Sequence, residues 1–214
     1  MVHNPSPGTG LIVDALAALG EDRQGVIGIQ PVRGFEDEAI AGPAVTARFV
    51  KKTGSAPGKS VLDVLHDMPE GSIVCMQAAA GHCFTGDIQA MAFKASGAAG
   101  LIVDGGVRDI RDLRGVGLPV WAQHTATRLA RSAYQLEGVN LPITMGGVPV
   151  EPGDLVHADE DGVVVVPHTL EASVEDLVAD LRAAEEDMSE VAVDAGRVGE
   201  LKEMYAQKSR RKYV

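Results

Sequence analysis

The chain has few aromatic residues and few cations for its length. Aromatic side chains make up 4% of its 214 residues, so a core must be built mainly from Val, Ala, Leu and Ile. Nineteen Lys and Arg residues stand against thirty Asp and Glu residues, a formal net charge of −11. Because a phosphate backbone is bound by clustered positive charge, this balance argues against a nucleic-acid partner. A small anion can still bind where one or two cations concentrate positive potential.

Cysteine is also scarce, and no apolar run reaches membrane-spanning length. Cys75 and Cys83 show no CxxC spacing, which argues against a disulfide framework and against a structural zinc site. Cys75 lies in a segment typical of a buried strand, where a core thiol is expected. No signal peptide opens the sequence. We therefore expect a soluble cytoplasmic protein of one domain, with no membrane partner.

The segment at residues 86–112, GDIQAMAFKASGAAGLIVDGGVRDIRD, is where we expect the chemistry. A polar turn opens a helical pattern that Gly97 and Gly100 end, as glycines do. The apolar run at residues 101–103 then predicts a buried strand. A helix followed by a strand brings the chain back to the end of the sheet at which the helix began. The turn at Gly86 can therefore lie near the loop at residues 105–109. Ligands of α/β sheets bind at such loop ends.

Arg108 and Asp109 at the end of this strand could bind a small oxyacid and a divalent metal together. The guanidinium offers a planar fork to a carboxylate. The aspartate offers one hard oxygen ligand, and Mg²⁺ commonly takes one or two protein carboxylates and keeps several waters. By itself, an Arg-Asp step after two glycines is also typical of a salt-bridged loop.

Three other motifs suggest chemistry but are better explained otherwise. The loop at residues 53–60, TGSAPGKS, is one residue short of a P-loop and predicts a turn, or else a loop near the active site. His82 and Cys83 are adjacent on an extended chain, so their side chains point apart and do not predict a nucleophile–base pair. Residues 159–162, DEDG, lack the rest of a Ca²⁺ loop and predict a turn before a buried strand.

Several segments, in one order along the chain, resemble the class II 4-hydroxy-4-methyl-2-oxoglutarate/4-carboxy-4-hydroxy-2-oxoadipate aldolases, relatives of the regulator of ribonuclease activity A. The segments are VDAL at 13–16, GPAVT at 42–46, GD at 86–87, VDGGVRD at 103–109, Asp112, GGVPVEPGD at 146–154 and ADEDGVVVVP at 158–167. The resemblance runs from about Val13 to about Glu186. It is far more specific than any single motif.

The resemblance implies a fold and an assembly. The fold is α/β, a single layered α/β/β/α domain with a mixed central sheet, similar to the swivelling phosphohistidine domain. We expect a flexible arm at residues 1–10, the domain at residues 11–188 and a polar helical tail at residues 189–214. The assembly is a homotrimer or homohexamer with active sites between subunits.

The resemblance also implies metal-dependent cleavage of a 4-hydroxy-2-oxo acid to pyruvate, with oxaloacetate decarboxylation as a side activity. In that mechanism Asp109 holds Mg²⁺ or Mn²⁺ and Asp112 orients metal-bound water. Arg108 binds the keto or carboxylate oxygen of the substrate and opposes the charge of the enolate. The remaining expected roles are substrate binding by Gly86, Asp87, Ile88 and Gln89, catalysis by Asp87, and proton shuttling by Glu185 or Glu186 of a neighbouring subunit. Lys94 lies within the helical pattern, so no lysine stands where a Schiff base is expected.

The alternative is a protein-binding regulator of ribonuclease activity with no catalytic role. It shares the fold that the resemblance implies. Members of that group generally lack the acidic residue after the loop arginine. Asp109 is present here, which favours the enzyme.

Overall fold

The computed structural model describes residues 7–21, 25–54 and 59–210. The first six residues of the expected N-terminal arm, residues 55–58 of the TGSAPGKS loop and the last four residues lie outside these ranges. Within them, no helix has the length and apolar composition needed to cross a membrane.

Twelve strands of the described chain form one ten-stranded mixed sheet and a separate hairpin. In chain order they are β1 (Gly25–Val26), β2 (Gln30–Pro31), β3 (Ile40–Lys51), β4 (Ile73–Gln77), β5 (Cys83–Thr85), β6 (Gly100–Val107), β7 (Val120–Thr125), β8 (Tyr134–Val139), β9 (Ile143–Met145), β10 (Val148–Val150), β11 (Leu155–Asp159) and β12 (Gly162–Val166). The main path of the sheet is β1-β12-β11-β3-β4-β6-β7-β2. Strand β5 pairs with β6, β8 pairs with β3, and β9 and β10 form the hairpin.

The described residues form five α-helices. They are α1 (Thr9–Ala18), α2 (Asp87–Ala95), α3 (Ile110–Val116), α4 (Glu171–Ala192) and α5 (Val198–Arg210). Short 3₁₀ helices occupy Val61–Asp67, Ala130–Ser132, His168–Leu170 and Ala195–Arg197. Helix α2 connects β5 to β6, and α3 connects β6 to β7. Both are crossovers between parallel strands, which require a connection of this kind.

Strand β3 belongs to both halves of the sheet. Its first residues pair antiparallel with β11, and residues 44–48 pair in parallel with β4. Strands β4, β6 and β7 continue the parallel block, so their carboxyl ends meet at one edge. This edge holds the loop that follows β6, where the sequence predicts the site.

Alternating side chains divide the interior into separate layers. In β6, Leu101 and Val103 pack under α2 and α3, whereas Ile102 faces the opposite side of the sheet. In β12, Val163 and Val165 join Ile102 between the two halves of the sheet, while Val164 and Val166 pack against α1 and α4. Because strand side chains alternate in direction, a run of valines fills two cores at once. The layers are therefore α/β/β/α, and the expected fold class is confirmed.

Asp159, at the end of β11, ties three elements together. Its carboxylate accepts hydrogen bonds from the backbone N–H of Thr9 at 2.7 Å and from the Thr9 hydroxyl at 2.8 Å. Its carbonyl accepts from the indole N–H of Trp121 at 2.8 Å. Trp121 is fully buried. Asp159 thus caps the first turn of helix α1 from a distant part of the chain.

The C-terminal helices are longer and better anchored than a solvated tail. Helix α4 runs from Glu171 to Ala192 and passes through the expected boundary at residue 188. In α5, Lys208 donates to Asp14 and to Glu185, both at 2.6 Å. The side chain of Lys208 is 14% exposed, so these two carboxylates hold α5 against α1 and α4.

Candidate active site

The site begins where β6 ends. The backbone N–H of Arg108 donates to the carbonyl of Thr85, which continues the pairing of β6 with β5. Asp109 then takes a left-handed conformation, φ 58° and ψ 38°, and precedes the first residue of α3. Its carbonyl accepts hydrogen bonds from the N–H groups of Asp112 and Leu113. A non-glycine residue in this region costs about 1–3 kcal/mol, and such residues cluster at functional sites.

Gly86 packs directly against this loop. A Cβ atom on Gly86 would lie 2.5 Å from Oδ2 of Asp109 and 3.3 Å from Cγ of Arg108. A larger residue at this position would have to displace the Asp109 carboxylate. The turn before α2 and the loop after β6 are therefore adjacent, as the return of the chain predicts.

The N-terminus of α2 faces the same space. Gly86 is its N-cap residue and no side chain caps the helix, so the first backbone N–H groups are available to a ligand. These groups and the helix dipole favour a negatively charged group. Gly86 and Asp87 lie beside Ile88 and Gln89 in the wall of one cavity, together with Arg108. The structure thus brings the predicted substrate-binding residues together.

That cavity has a volume of about 390 Å³, suited to a small organic acid. Phe84 contacts Phe49 and Tyr134 edge to face, with ring centroids 5.0 and 5.4 Å apart, and all three rings line it. Four cations also line it, namely Lys52, Lys59, Arg108 and Arg131. Asp87 is the only carboxylate among the described lining residues.

Arg108 and Asp109 form the salt bridge that the simpler interpretation predicts. Nε of Arg108 lies 3.0 Å from Oδ2 of Asp109, and the two side chains remain 47% and 34% exposed. The carboxylate is therefore accessible to a cation as well as to the guanidinium. In the described chain no three His, Cys, Asp or Glu side chains cluster as a metal cage. Mg²⁺ commonly binds one protein carboxylate and keeps several waters, so Asp109 would suffice if water and a chelating 2-oxo acid completed the coordination shell.

Asp109 does not line this cavity but a neighbouring groove that also includes Arg108. The other predicted carboxylates do not line the cavity either. Asp112 is exposed in the first turn of α3 and lines a separate groove between α2 and α3. Glu185 lies on α4, where it pairs with Lys208 of the same chain. Glu186 follows it on the same helix. Lys94 donates to the carbonyls of Val116 and Gly117 at the end of α3, which explains it as a helix cap.

The two glycines before Arg108 are explained by packing. A Cβ atom on Gly105 would lie 2.9 Å from Cβ of Ala78, and one on Gly106 would lie 2.5 Å from the carbonyl of His82. These contacts let the loop between β4 and β5 close over the strand end. Asp104, just before them, accepts hydrogen bonds from Gln123 and from the N–H of Gly146, so it anchors the β9–β10 turn.

The cysteines behave as core thiols. Burial raises the pKa of the Cys83 thiol, an effect that the positive charge of Arg108 only partly opposes. Burial also raises the pKa of Cys75, and the charge of Asp154 adds to the shift. His82 contacts the ring of Tyr134, while the Cys83 thiol donates to the carbonyl of Thr85. The two side chains diverge, so no nucleophile–base pair forms.

The DEDG segment is also structural. Besides its bonds to Thr9, the Asp159 carboxylate accepts from the N–H of Asp161 at 3.0 Å. Oδ1 therefore accepts two hydrogen bonds and Oδ2 one, each from a donor of this chain. The turn before β12 needs no cation to hold it.

Sequence reasoning missed three of the four cavity cations, Lys52, Lys59 and Arg131. The one available signal was the TGSAPGKS loop, because Lys59 and Ser60 at its end line the cavity. This agrees with the alternative of a loop near the active site. Sequence reasoning also missed Thr85, whose hydroxyl is buried at the cavity and has no hydrogen-bond partner within the described residues.

The sequence is similar to those of several known proteins. A sequence profile described as RraA-like, Aldolase/RraA, matches residues 9–165. A putative 4-hydroxy-4-methyl-2-oxoglutarate aldolase of Halalkalibacterium halodurans is 34% identical over 142 residues, 65% of each chain. Protein DlpA of Legionella pneumophila is 25% identical over 91% of this chain, but that alignment covers only 32% of DlpA. The chain thus spans less than two thirds of the length of either relative.

Solved structures show the same fold. An uncharacterized protein from Pseudomonas syringae pv. tomato superposes with a TM-score of 0.78 at 26% identity, covering 92% of this chain and 93% of that one. Streptomyces coelicolor RraAS2, described as an unusual member of the RNase ES inhibitor RraA family, gives a TM-score of 0.74 at 29% identity. That superposition covers 86% of this chain and 90% of RraAS2.

Proposed function

The chain belongs to the RraA-like family, and we propose that it is a divalent-metal-dependent aldolase. The reaction proposed is cleavage of a 4-hydroxy-2-oxo acid, such as 4-hydroxy-4-methyl-2-oxoglutarate, to pyruvate and a second carbonyl compound. The similarity to the Halalkalibacterium halodurans protein supports this choice. The observation that carries it is that Arg108 lines one cavity together with the uncapped N-terminus of α2, while Asp109 pairs with Arg108 and lies against Gly86.

In the proposed reaction the proton of the C4 hydroxyl leaves and the C3–C4 bond breaks. C4 becomes a carbonyl, and the bond electrons pass to C3 and the keto oxygen as an enolate. Mg²⁺ or Mn²⁺ held by Asp109 would draw electron density from the keto oxygen and so lower the barrier. Arg108 opposes the same developing charge with its guanidinium. Protonation at C3 then releases pyruvate.

The N-terminus of α2 holds the substrate carboxylate in this proposal. The N–H groups at residues 86–89, which line the cavity, would keep the acid oriented for cleavage. Asp87, in the first turn, positions the water that takes up the hydroxyl proton. A carboxylate from a neighbouring subunit assists it, since Asp87 is the only one among the described lining residues. The proposal therefore includes a homotrimer or homohexamer.

The same arrangement would decarboxylate oxaloacetate. Loss of carbon dioxide from its C3 leaves the same pyruvate enolate, whose charge Arg108 would oppose, and a metal held by Asp109 would supply the same Lewis acidity. No further residue is needed for this side activity.

The proposal is tested by pyruvate release from 4-hydroxy-2-oxo acids. Purified protein is treated with EDTA, dialysed, and assayed with and without Mg²⁺ or Mn²⁺. We expect activity to be lost on chelation and restored by either metal. Full activity in rigorously metal-free protein would exclude the proposed role of Asp109.

A second candidate function is the regulation of a ribonuclease by protein binding. The likeness to RraAS2 favours it. Asp109, accessible beside Arg108, weighs against it, because a purely binding role does not require a metal ligand at that position. Binding to an RNase E-type endonuclease, with no lyase activity on any 2-oxo acid, would reverse the ranking.

A further inference from the structure

One cavity concentrates positive charge in an acidic protein. The sequence has 19 Lys and Arg residues and 30 Asp and Glu residues. Among the described lining residues of the 390 Å³ cavity, cations outnumber carboxylates by four to one. Such a reversal of sign in a cleft concentrates potential and favours an anion. Arg108 and the α2 N-terminus account for one anionic group, so three cations are left over.

The three remaining cations, Lys52, Lys59 and Arg131, are not neutralised by the rest of the described chain. Each is exposed, and none makes a salt bridge with a described residue. Lys52 follows the end of β3, and Arg131 lies in the 3₁₀ helix before β8. Lys59 forms an isolated β-bridge with Leu136 of β8. Lys52 and Lys59 lie at the side of the cavity built by β3 and β8, and Arg131 lies in a turn that contacts both β8 and β5.

Arg108 belongs to the other side, built by β6 and the start of α2. Strand β4 separates β3 from β6, so their backbones are two strand spacings apart, roughly 10 Å. The rings of Phe49, Phe84 and Tyr134 line the same cavity and supply apolar surface. The buried Thr85 hydroxyl, without a partner among the described residues, offers a hydrogen bond in the same lining. A short carbon chain with a charged group at each end fits this arrangement.

We propose that Lys52, Lys59 and Arg131 determine specificity by binding a second carboxylate, carried by the substrate beyond C4. The inference rests on the proposed function for the identity of the substrate, but its ligand preference is measurable without catalysis. In this assignment Arg108 and the α2 N-terminus hold the 2-oxo acid end. The three other cations hold the far carboxylate, whose charge-assisted bonds are strong and salt-sensitive.

Calorimetry with two unreactive five-carbon acids tests the binding. 2-Oxoglutarate carries the second carboxylate, and 2-oxopentanoate carries a methyl group in its place. With Mg²⁺ present, we expect the parent protein to bind 2-oxoglutarate at least about tenfold more tightly. A Lys59→Met, Arg131→Met double variant should lose most of this preference while binding 2-oxopentanoate normally. Lys202→Met, which removes an exposed cation from α5, is the matched control and should keep it.

Catalysis gives an independent reading. The ratio of kcat/KM for 4-hydroxy-2-oxoglutarate to that for 4-hydroxy-2-oxopentanoate should exceed ten in the parent and approach one in the double variant. We expect this change to come from a higher KM for 4-hydroxy-2-oxoglutarate. Cleavage of both substrates with no preference would overturn the inference and leave the aldolase intact. A binding preference that follows these cations in a protein without lyase activity would sustain the inference and remove the proposed function. Equal affinities of the parent for 2-oxoglutarate and 2-oxopentanoate would overturn the inference. This result is expected if the three cations pair with a neighbouring subunit instead.

Discussion

Oδ2 of Asp109 lies 2.5 Å from the point that a Cβ atom on Gly86 would occupy. Two residues separated by helix α2 and strand β6 are thus in direct contact, and the contact leaves no room for a methyl group. Gly86→Ala should displace the Asp109 carboxylate without disturbing the backbone, since φ −148° at residue 86 suits any amino acid. We expect kcat to fall by about a hundredfold, the scale of a 1 Å misplacement.

Steady-state kinetics and urea denaturation together check this prediction. Gly115→Ala is the control, because a Cβ atom there meets nothing within 4 Å. It should leave activity unchanged and stability equal or slightly higher, as Ala is the better helix former. An active Gly86→Ala variant would show that this contact does not position the site.

Substitution of Asp109 should impair metal affinity, whereas substitution of Arg108 should impair kcat. Asp109→Asn keeps the shape and removes the charge, so metal affinity should fall and excess Mg²⁺ should restore part of the rate. Arg108→Lys keeps the charge and loses the planar fork, so metal binding should survive while kcat falls by about a hundred- to a thousandfold. Mg²⁺ titrations of the initial rate for both variants distinguish the two outcomes. Near-parental behaviour of either variant would make the loop structural.

The protein should be a trimer or a multiple of a trimer in solution. The number of subunits is what the resemblance to the aldolases implies. A neighbouring subunit is needed because Asp87 is the only carboxylate among the described cavity residues, whereas the proposed proton transfer uses two. Light scattering coupled to size exclusion measures the mass directly. A monomer that retains full activity would contradict the proposed arrangement of the site.

His157 should make stability depend on pH. Burial lowers its pKa from 6.5 to about 4, against the opposing charge of Asp159. Between pH 6.5 and about 4, His157 is therefore protonated in the unfolded chain and neutral in the folded chain. Above this range both states are neutral and the stability is fully present. As the pH falls through it, up to about 3 kcal/mol of unfolding free energy should be lost.

Urea denaturation at pH 7.0 and pH 4.5 measures this loss. His157→Gln cannot titrate and should remove this component of the pH dependence, whatever its effect on absolute stability. His66→Gln, at an exposed position, should leave the pH dependence unchanged. A parental slope in the His157→Gln variant would assign the effect to other groups.

The sequence by itself determined the parts of the protein that depend on neighbouring residues. The apolar run of β6 between glycines and the charged Arg108-Asp109 step gave a buried strand with its polar end at the sheet edge. The valines of β12 indicated burial on both faces. These inferences hold because strand burial depends on side-chain alternation and on the residues that end the strand.

Only the tertiary structure decided which distant residues meet. Lys52, Lys59 and Arg131 reach one cavity because β3 extends from one half of the sheet into the other and pairs with β8. Asp159, which lies 150 residues further along the chain than Thr9, caps the start of α1 by accepting hydrogen bonds from Thr9. Local periodicity does not specify such contacts, because they depend on strand order and register, which are set by packing across the whole sheet.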